Sequence, residues 1–436
     1  MKTKFLNKVF EIDLKIESVN LYFLVAFFAF YAFEGVLRYF FSILQLEPLL
    51  YVKDLIILYL IIYFFFEKIK YYKLSEIQFY IVLLLTYSSL IGLIYLSSFA
   101  QILFGFKVLI PLIVGMVGFQ FFIKNRNKLS YSFIALGMIT AFGVLLDLYF
   151  PLPWTDLTFE IGGVDVQSSQ EVFVAGGFGR ISGFARNWSV SAMIMMVSIT
   201  HLLFLSSVKW KLPISLLLFV MVIITTNKGI IVGTFLVISF YIFKRFKIGE
   251  HIYRFGYKIL IALTVLLPFF AGYIYSTFQG QLEGIYRIVF NSLFVRFSEN
   301  WPEALELITV HGNPLLGRGL GSIAASQKIF EANLYNPADN YFLYLYAIVG
   351  FISVLILVLT IVHIRRLNFK NNIDAFCFAI LLASGLYAII GTLIENPIFG
   401  FFVGIAYARL FLDEGFVKKL KYPFSGMPIY LKKINN

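Results

Sequence analysis

Twelve mainly apolar segments run through this chain, near 19–44, 52–66, 77–97, 102–123, 131–150, 188–206, 212–226, 229–243, 259–276, 341–362, 374–394 and 397–412. A helix crosses the hydrocarbon of a bilayer in about 20 apolar residues, and most of these segments reach that length. A soluble fold cannot hide so many. Of the 436 residues 60% are hydrophobic and 14% charged, against about 45–50% and about 25% in soluble domains. A soluble enzyme is excluded because its surface would lack polar groups, and a disordered chain because the sequence is far too apolar. The expected fold is an all-α polytopic membrane protein of about 12 transmembrane helices, a single integral membrane domain over 1–436. The joints at Asn227-Lys228 and Glu395-Asn396-Pro397 are so short that either could instead close a re-entrant hairpin.

The net charge of +12 sorts by side. With the N-terminus inside, the segments 1–18, 67–76, 124–130, 207–211, 244–258, 363–373 and 413–436 hold 25 of the 36 Lys and Arg. The opposite loops hold only Lys53, Arg180, Arg186, Lys228, Arg287, Arg296, Arg318 and Lys328. Positive loops stay in the cytoplasm, so both termini are expected there and the basic balance reports topology. No basic domain is left for nucleic acid. Residues 1–18 are charged and lack a small-residue cleavage site, so no cleaved leader is expected. One Cys excludes a disulfide framework, and four His without ligand spacing leave no metal or other cofactor expected.

Two long loops are expected outside: 151–187, and 277–340 between spans 9 and 10. They hold most of the Gly, Arg, Asp and Asn outside the helices. A transporter or lipid-linked oligosaccharide flippase would instead concentrate such residues within its spans. The first loop ends Gly179-Arg180-Ile181-Ser182-Gly183-Phe184-Ala185-Arg186-Asn187, and a span follows at once. A guanidinium presents bidentate donors to phosphate oxygens, and a helix N-terminus adds its dipole. The pair Arg180 and Arg186 therefore suits a pyrophosphate, or simply meets lipid headgroups. In the second loop Arg296, Glu299 and Glu303 fall on one helical face, where the two carboxylates would orient Arg296 or form a plain salt-bridge face; Arg287 points away. The run Gly312-Asn313-Pro314-Leu315-Leu316-Gly317-Arg318-Gly319-Leu320-Gly321 lacks the strand of a dinucleotide fold and reads as a turn that brings backbone, and Arg318, close to another segment or a phosphate. At the loop's end, Asp339 or Asn340 is a helix N-cap, or Asp339 is a base for a sugar hydroxyl. Glu395 is a second candidate acid. Within the first span, Glu34 and Arg38 form an i, i+4 pair that Asp54 can join. Lys107 and Asp147 are further charges within spans. His201, His251 and His363 fall at cytoplasmic span ends, where headgroup contact is expected.

Several of these residues carry a resemblance: Arg180-Ile181-Ser182-Gly183-Phe184; Arg296 with Trp301 and Ala304-Leu305; Asn313-Pro314-Leu315-Leu316-Gly317-Arg318-Gly319-Leu320-Gly321; and Asp339-Asn340-Tyr341 running toward Gly350. Asn227-Lys228-Gly229, Phe33-Glu34-Gly35-Val36-Leu37-Arg38 and Tyr51-Val52-Lys53-Asp54 add to it. The pattern resembles the O-antigen polymerase and O-antigen ligase superfamily of bacterial envelope glycosyltransferases. The resemblance implies a GT-C-like fold in the bacterial cytoplasmic membrane. It implies a metal-independent transfer of glycan from undecaprenyl pyrophosphate, with membrane lipids, a flippase and a chain-length regulator as partners. It also implies that Arg180 and Arg296 bind the pyrophosphate; Arg186, Arg287, Asn340, Glu299 and Arg318 are further candidate substrate-binding residues of this chain. The ligase branch carries His where this chain has Asp339, which turns the expectation toward a polysaccharide polymerase, with a ligase onto lipid, protein or wall acceptor as the alternative. Reporter fusions after residue 258 should be active only as cytoplasmic proteins, and fusions after residue 310 only as external ones; the reverse would overturn the orientation.

Overall fold

The computed structural model describes residues 2–69, 76–150, 152–155, 158–161, 164–167, 179–244, 246–278 and 284–411. In chain order the helices are α1 (Lys2–Ala32), α2 (Glu34–Ile43), α3 (Val52–Ile69), α4 (Glu76–Tyr95), α5 (Phe99–Val117), α6 (Phe119–Lys124), α7 (Arg126–Tyr149), α8 (Trp188–Phe204), α9 (Lys211–Ile224) and α10 (Lys228–Phe243). There follow α11 (Lys247–Phe269), α12 (Ala271–Phe278), α13 (Gly284–Val295), α14 (Trp301–Val310), α15 (Ala325–Phe330), α16 (Tyr341–Val349), α17 (Ile352–His363), α18 (Asn372–Ile390) and α19 (Pro397–Phe411). A π-helical turn, Arg296–Asn300, joins α13 to α14. The described strands form one small antiparallel ribbon in the first long loop, β1 (Thr158–Ile161) with β2 (Val164–Gln167), Thr158 opposite Gln167.

Six described helical stretches are long and apolar enough to cross a membrane: Glu47–Phe66, Gln78–Tyr95, Phe99–Val117, Arg126–Tyr149, Gly249–Phe269 and Asn372–Ile390. A seventh is made if Ile16–Ala32 and α2 count together, but they meet at an 80° bend. Helices α8, α9, α10 and α19 are apolar but shorter. Large side chains such as Phe40, Leu55, Phe79, Leu83, Ile94, Phe235 and Tyr273 are exposed on the helix surfaces, a distribution that hydrocarbon stabilises and water does not.

Two of the expected spans are broken where backbone of another segment enters the gap. The first turns at Phe33, where the Gly35 and Val36 amides donate to the Phe184 carbonyl (3.0 and 3.4 Å) instead of completing the α1 ladder. The 341–362 segment breaks at Gly350, whose φ is +59°. The glycine run packs into that break. The Arg318 and Gly319 amides donate to the Ala347 carbonyl, Phe351 N–H donates to Leu315 O, and Leu320 N–H donates to Ser88 O of α4. Gly319 (φ +96°) has no room for a side chain, because a Cβ there would sit 2.1 Å from the Gly92 nitrogen. The run is thus a structural turn whose second half, Gly317 to Gly321, is buried between α4, α5 and α16. Non-helical backbone inside a helical bundle is tolerated only when protein satisfies it.

The core centres on α18, most of it buried, with α8, α10 and α19 against it. His201 is fully buried there, with Phe122, Phe133, Phe376 and Phe402 around its ring and Ser130 Oγ 3.2 Å from Nδ1. It is not the headgroup residue expected. Glycines bring α5 and α19 to backbone contact: a Cβ on Gly115 would lie 2.0 Å from Phe401 O, and one on Gly404 2.1 Å from Leu112 O. Such small-residue seams drive helix packing where no hydrophobic effect operates between helices. Gly404→Leu should therefore destabilise the purified protein by roughly 2 kcal/mol or more. Gly256→Ala, which meets nothing within 4 Å, should leave stability unchanged or raise it by about 0.5–1 kcal/mol. Labelling of the single, buried Cys377 thiol during heating reads both.

Candidate functional site

The π turn decides which way Arg296 points. A π turn widens the helix and shifts the phase of the residues after it, so the α-helical face of Arg296, Glu299 and Glu303 is lost. Glu299 is exposed and carries no bond to Arg296. Glu303 instead lies 3.4 Å from Asn336 Nδ2. Arg296 Nη2 pairs with Asp339 Oδ2 at 3.1 Å, and Nη1 donates to the Ser292 carbonyl at 2.6 Å. Asn300, at the end of the same turn, donates from Nδ2 to Asp339 Oδ2 at 3.0 Å. Trp301 Nε1 donates to the Asp339 carbonyl at 3.2 Å.

Asp339 is held in an unfavourable backbone. Ala338 and Asp339 have φ of +58° and +44°, costing about 1–2 kcal/mol per residue where the side chain is not glycine. Asn336 over-determines the turn: its Oδ1 accepts from Ala338 N–H at 2.8 Å and its Nδ2 donates to Asn300 O at 2.9 Å. The Asp339 N–H donates to Pro337 O at 2.7 Å. Both partners of the carboxylate sit on Oδ2. Oδ1 accepts nothing among the described residues. Burial raises Asp339 above the usual aspartate value, against the Arg296 guanidinium and the Asn300 amide, which makes its carboxylate a better proton acceptor.

Arg180 joins Arg296 from the first long loop. Asp147, at the end of α7, anchors that loop by accepting from Ser182 and Gly183 N–H at 3.2 and 2.7 Å. The Arg180 guanidinium lies 4.6 Å over the Trp188 ring, a cation–π contact. Burial and then the positive Arg296 pull it below the ordinary arginine value, yet arginine stays charged. Lys228, at the start of α10, is within electrostatic reach of Arg180. Arg180 Nε and Arg296 Nε are both buried without a hydrogen-bond partner. Like charges held together with unfilled donors form a site for an anion.

Glu395 supplies a second acid beside the first. It sits in the turn between α18 and α19, its Oε1 accepting from Ala325 N–H at 2.7 Å and its Oε2 lying 3.5 Å from Thr392 Oγ1. Burial pushes its carboxyl up to about 7, and the Asp339 carboxylate adds to the rise.

The other expected residues are elsewhere. Arg318 is buried, with Nη1 and Nη2 each 2.8 Å from a Glu331 oxygen and further bonds to Ser322 and His311 carbonyls; it braces the glycine run and faces no ligand. Asn340 caps α16 through Leu343 N–H and donates to Thr264 and Ile389 carbonyls. Of the two readings left open by the residues, Asn340 takes the cap and Asp339 remains free of it. Arg186 lies with Glu34 and Arg38, apart from Arg180. Asp54 pairs with Lys107 instead of joining Glu34 and Arg38, and Lys53 is the residue that pairs with Glu34. The Arg287 side chain lies outside the described residues. Asn300 and Trp188 were not foreseen: Asn300 reaches Asp339 only through the π turn, and nothing in the spacing marks Trp188. A cavity of about 470 Å³ lined by Arg126, Asn127, Lys370 and Asn371 belongs to the other ends of the helices. Among the described residues no group of three His, Cys, Asp or Glu could hold a metal.

Comparison with family models, curated proteins and solved structures returns no match, so the reading of this site rests on its geometry and chemistry.

The raised Glu395 fixes a pH dependence. Below about 4.5, its usual value, folded and unfolded chains both hold the proton. Between there and about 7 the unfolded chain ionises first, so stability falls as pH rises, and the loss is complete once the folded carboxyl ionises as well. Glu395→Gln should flatten that window, removing a decline of roughly 3 kcal/mol at most. Denaturation followed across pH 4.5–7.5 checks it; an unchanged slope in the variant would overturn the assignment.

Proposed function

We propose that the protein is a polysaccharide polymerase. It transfers a glycan from polyprenyl pyrophosphate to the sugar hydroxyl of a second lipid-linked repeat unit, at the outer face of a bacterial cytoplasmic membrane. The observation that carries this reading is the pairing of two converging, under-satisfied arginines, Arg180 and Arg296, with a strained carboxylate, Asp339, whose Oδ1 is open. The motifs that resemble the O-antigen polymerase and ligase superfamily run through the same residues. The finer architecture belongs to this proposal: about 12 membrane crossings in a GT-C-like arrangement, with both termini cytoplasmic. In it the shorter helices α8, α9, α10 and α19 and the broken α16–α17 pair each make a crossing.

The chemistry is a displacement at the anomeric carbon. Arg180 and Arg296 hold the pyrophosphate, and their preorganised charge stabilises the electron pair that moves onto it as the C1–O–P linkage breaks. The acceptor hydroxyl oxygen forms the new bond to C1, and its proton passes to Asp339 Oδ1. Asn300 and Arg296 keep Oδ2 in place, so the base does not rotate away. Holding both substrates at this separation supplies much of the remaining acceleration. Glu395, half protonated near neutrality, tunes the field at Asp339. A charge-neutralising arginine pair needs no metal for the leaving group, so elongation is expected to persist in EDTA.

Purified protein in lipid, given lipid-linked repeat units and EDTA, should lengthen the glycan. Arg180→Ala and Arg296→Ala should each lower the rate about 100-fold or more, and Asp339→Asn by a similar factor. Full activity in all three variants would overturn the residue roles. Movement of labelled lipid-linked sugar across the bilayer without any elongation would overturn the reaction class.

A further inference from the structure

A second, partly buried group of charges is gathered on α2, α3 and the loop that also carries Arg180. Glu34 opens α2 and accepts from Arg38, one turn on, through Nε at 3.0 Å and Nη2 at 2.7 Å. Lys53 Nζ reaches the same Glu34 oxygen at 2.9 Å and lies 4.5 Å over the Tyr31 ring. The first long loop delivers Arg186 to this group by backbone contact. Gly35 N–H donates to Phe184 O, and a Cβ on Gly35 would come within 2.8 Å of Ala185 O. Arg186 follows directly, within electrostatic reach of Arg38 and Glu34. Asp54, the next residue after Lys53, is held by Lys107 at 2.7 Å, and Asp147 is bound to backbone amides.

The charges do not balance. Lys107, itself exposed, pairs with Asp54, which leaves Arg38, Lys53 and Arg186 on one carboxylate, Glu34. Arg38 is only 8% exposed, and its Nη1 is buried with no hydrogen-bond partner. Among the described residues no carboxylate lies within ion-pair distance of Arg186. Excess buried positive charge with an empty donor is costly unless an anion enters. Two guanidinia and an ammonium suit a phosphate, whose oxygens accept several charge-assisted bonds at once.

We propose that Arg38, Lys53 and Arg186 form a second oxyanion site, which takes the phosphate-bearing headgroup of a membrane lipid. Its occupant is the pyrophosphate of the acceptor substrate, an assignment that rests on the transfer reading above. A polymerase must hold two lipid-linked pyrophosphates at once: the donor's on Arg180 and Arg296, the acceptor's here. Arg186 follows Arg180 by six residues, so one anchored loop would position both.

The test is binding, independent of turnover. The full-length protein in neutral-lipid nanodiscs is titrated with farnesyl pyrophosphate, and stoichiometry is read by native mass spectrometry. Two molecules are expected for the wild type, and one for Arg38→Gln and for Arg186→Gln, with that site weakened about tenfold or more. Among the described residues Arg186→Gln breaks no ion pair, so it stays informative if Arg38→Gln fails to fold, and Arg38→Lys should retain much of the binding. Arg180→Gln should remove the other site. A single wild-type site, or two unchanged sites in both glutamine variants, would overturn the proposal. If phosphatidylglycerol fills the site and farnesyl pyrophosphate cannot displace it, the oxyanion site stands and the acceptor assignment falls. Two sites with no glycan elongation would count against the transfer reading alone, whereas elongation with one site would sink only this inference.

Discussion

Backbone that leaves a helix inside this bundle must find its hydrogen bonds in other protein segments, and the rest of the structure follows from how that is done. The bend at Phe33 is filled by the Phe184 carbonyl, and the break at Gly350 by the Leu315–Gly319 backbone. Each repair draws a long loop into the helices. The first brings the Arg180–Arg186 segment against α2. The second pins the longer loop between α4, α5 and α16, so that its far end delivers Asp339 to Arg296. An unsatisfied amide or carbonyl in hydrocarbon costs several kcal/mol, which is why these loops are placed by their main chain as much as by their side chains.

The candidate site shows the opposite economy. Where the loops satisfy every group they can, Arg180, Arg296 and Arg38 each keep a buried nitrogen without a partner. Two consecutive non-glycine residues at Ala338 and Asp339 hold positive φ. Such tension persists only when surrounding contacts over-determine it, and Asn336, Trp301 and Asn300 do so here. By contrast, Arg318 has the Glu331 carboxylate set squarely against it and keeps no buried nitrogen without a partner. Arg318 is thus wholly a brace, whereas Arg38 is braced by Glu34 through Nε and Nη2 and keeps Nη1 open.

How much of this was legible in the sequence follows the range of the interactions. The membrane-compatible helical class was, because apolar run length is a local property. The i, i+4 pair of Glu34 and Arg38 was also legible, since helical spacing sets it. The pairing of Arg296 with Asp339 was not, because it spans more than forty residues and depends on a π turn that no residue pattern announces. The breaks in the first and tenth spans were not legible for a related reason: Gly35 and Gly350 look like ordinary helix glycines until another segment's backbone is known to meet them. The roles of Arg318 and His201 likewise turned on Glu331 and on a ring of phenylalanines, both supplied by distant parts of the chain.

The seam between α5 and α19 carries a consequence for how the molecule is assembled. Gly115 and Gly404 press the two helices together at backbone distance, and Phe401 and Phe402 complete the aromatic cluster around Phe28 and Phe122. The groove on α5 is therefore made long before α19, which fills it, has been synthesised. Until then it must lie open to lipid or to a chaperone. The seam thus joins helices far apart in the chain, and the time between their two insertions is an interval in which this protein is exposed to misassembly.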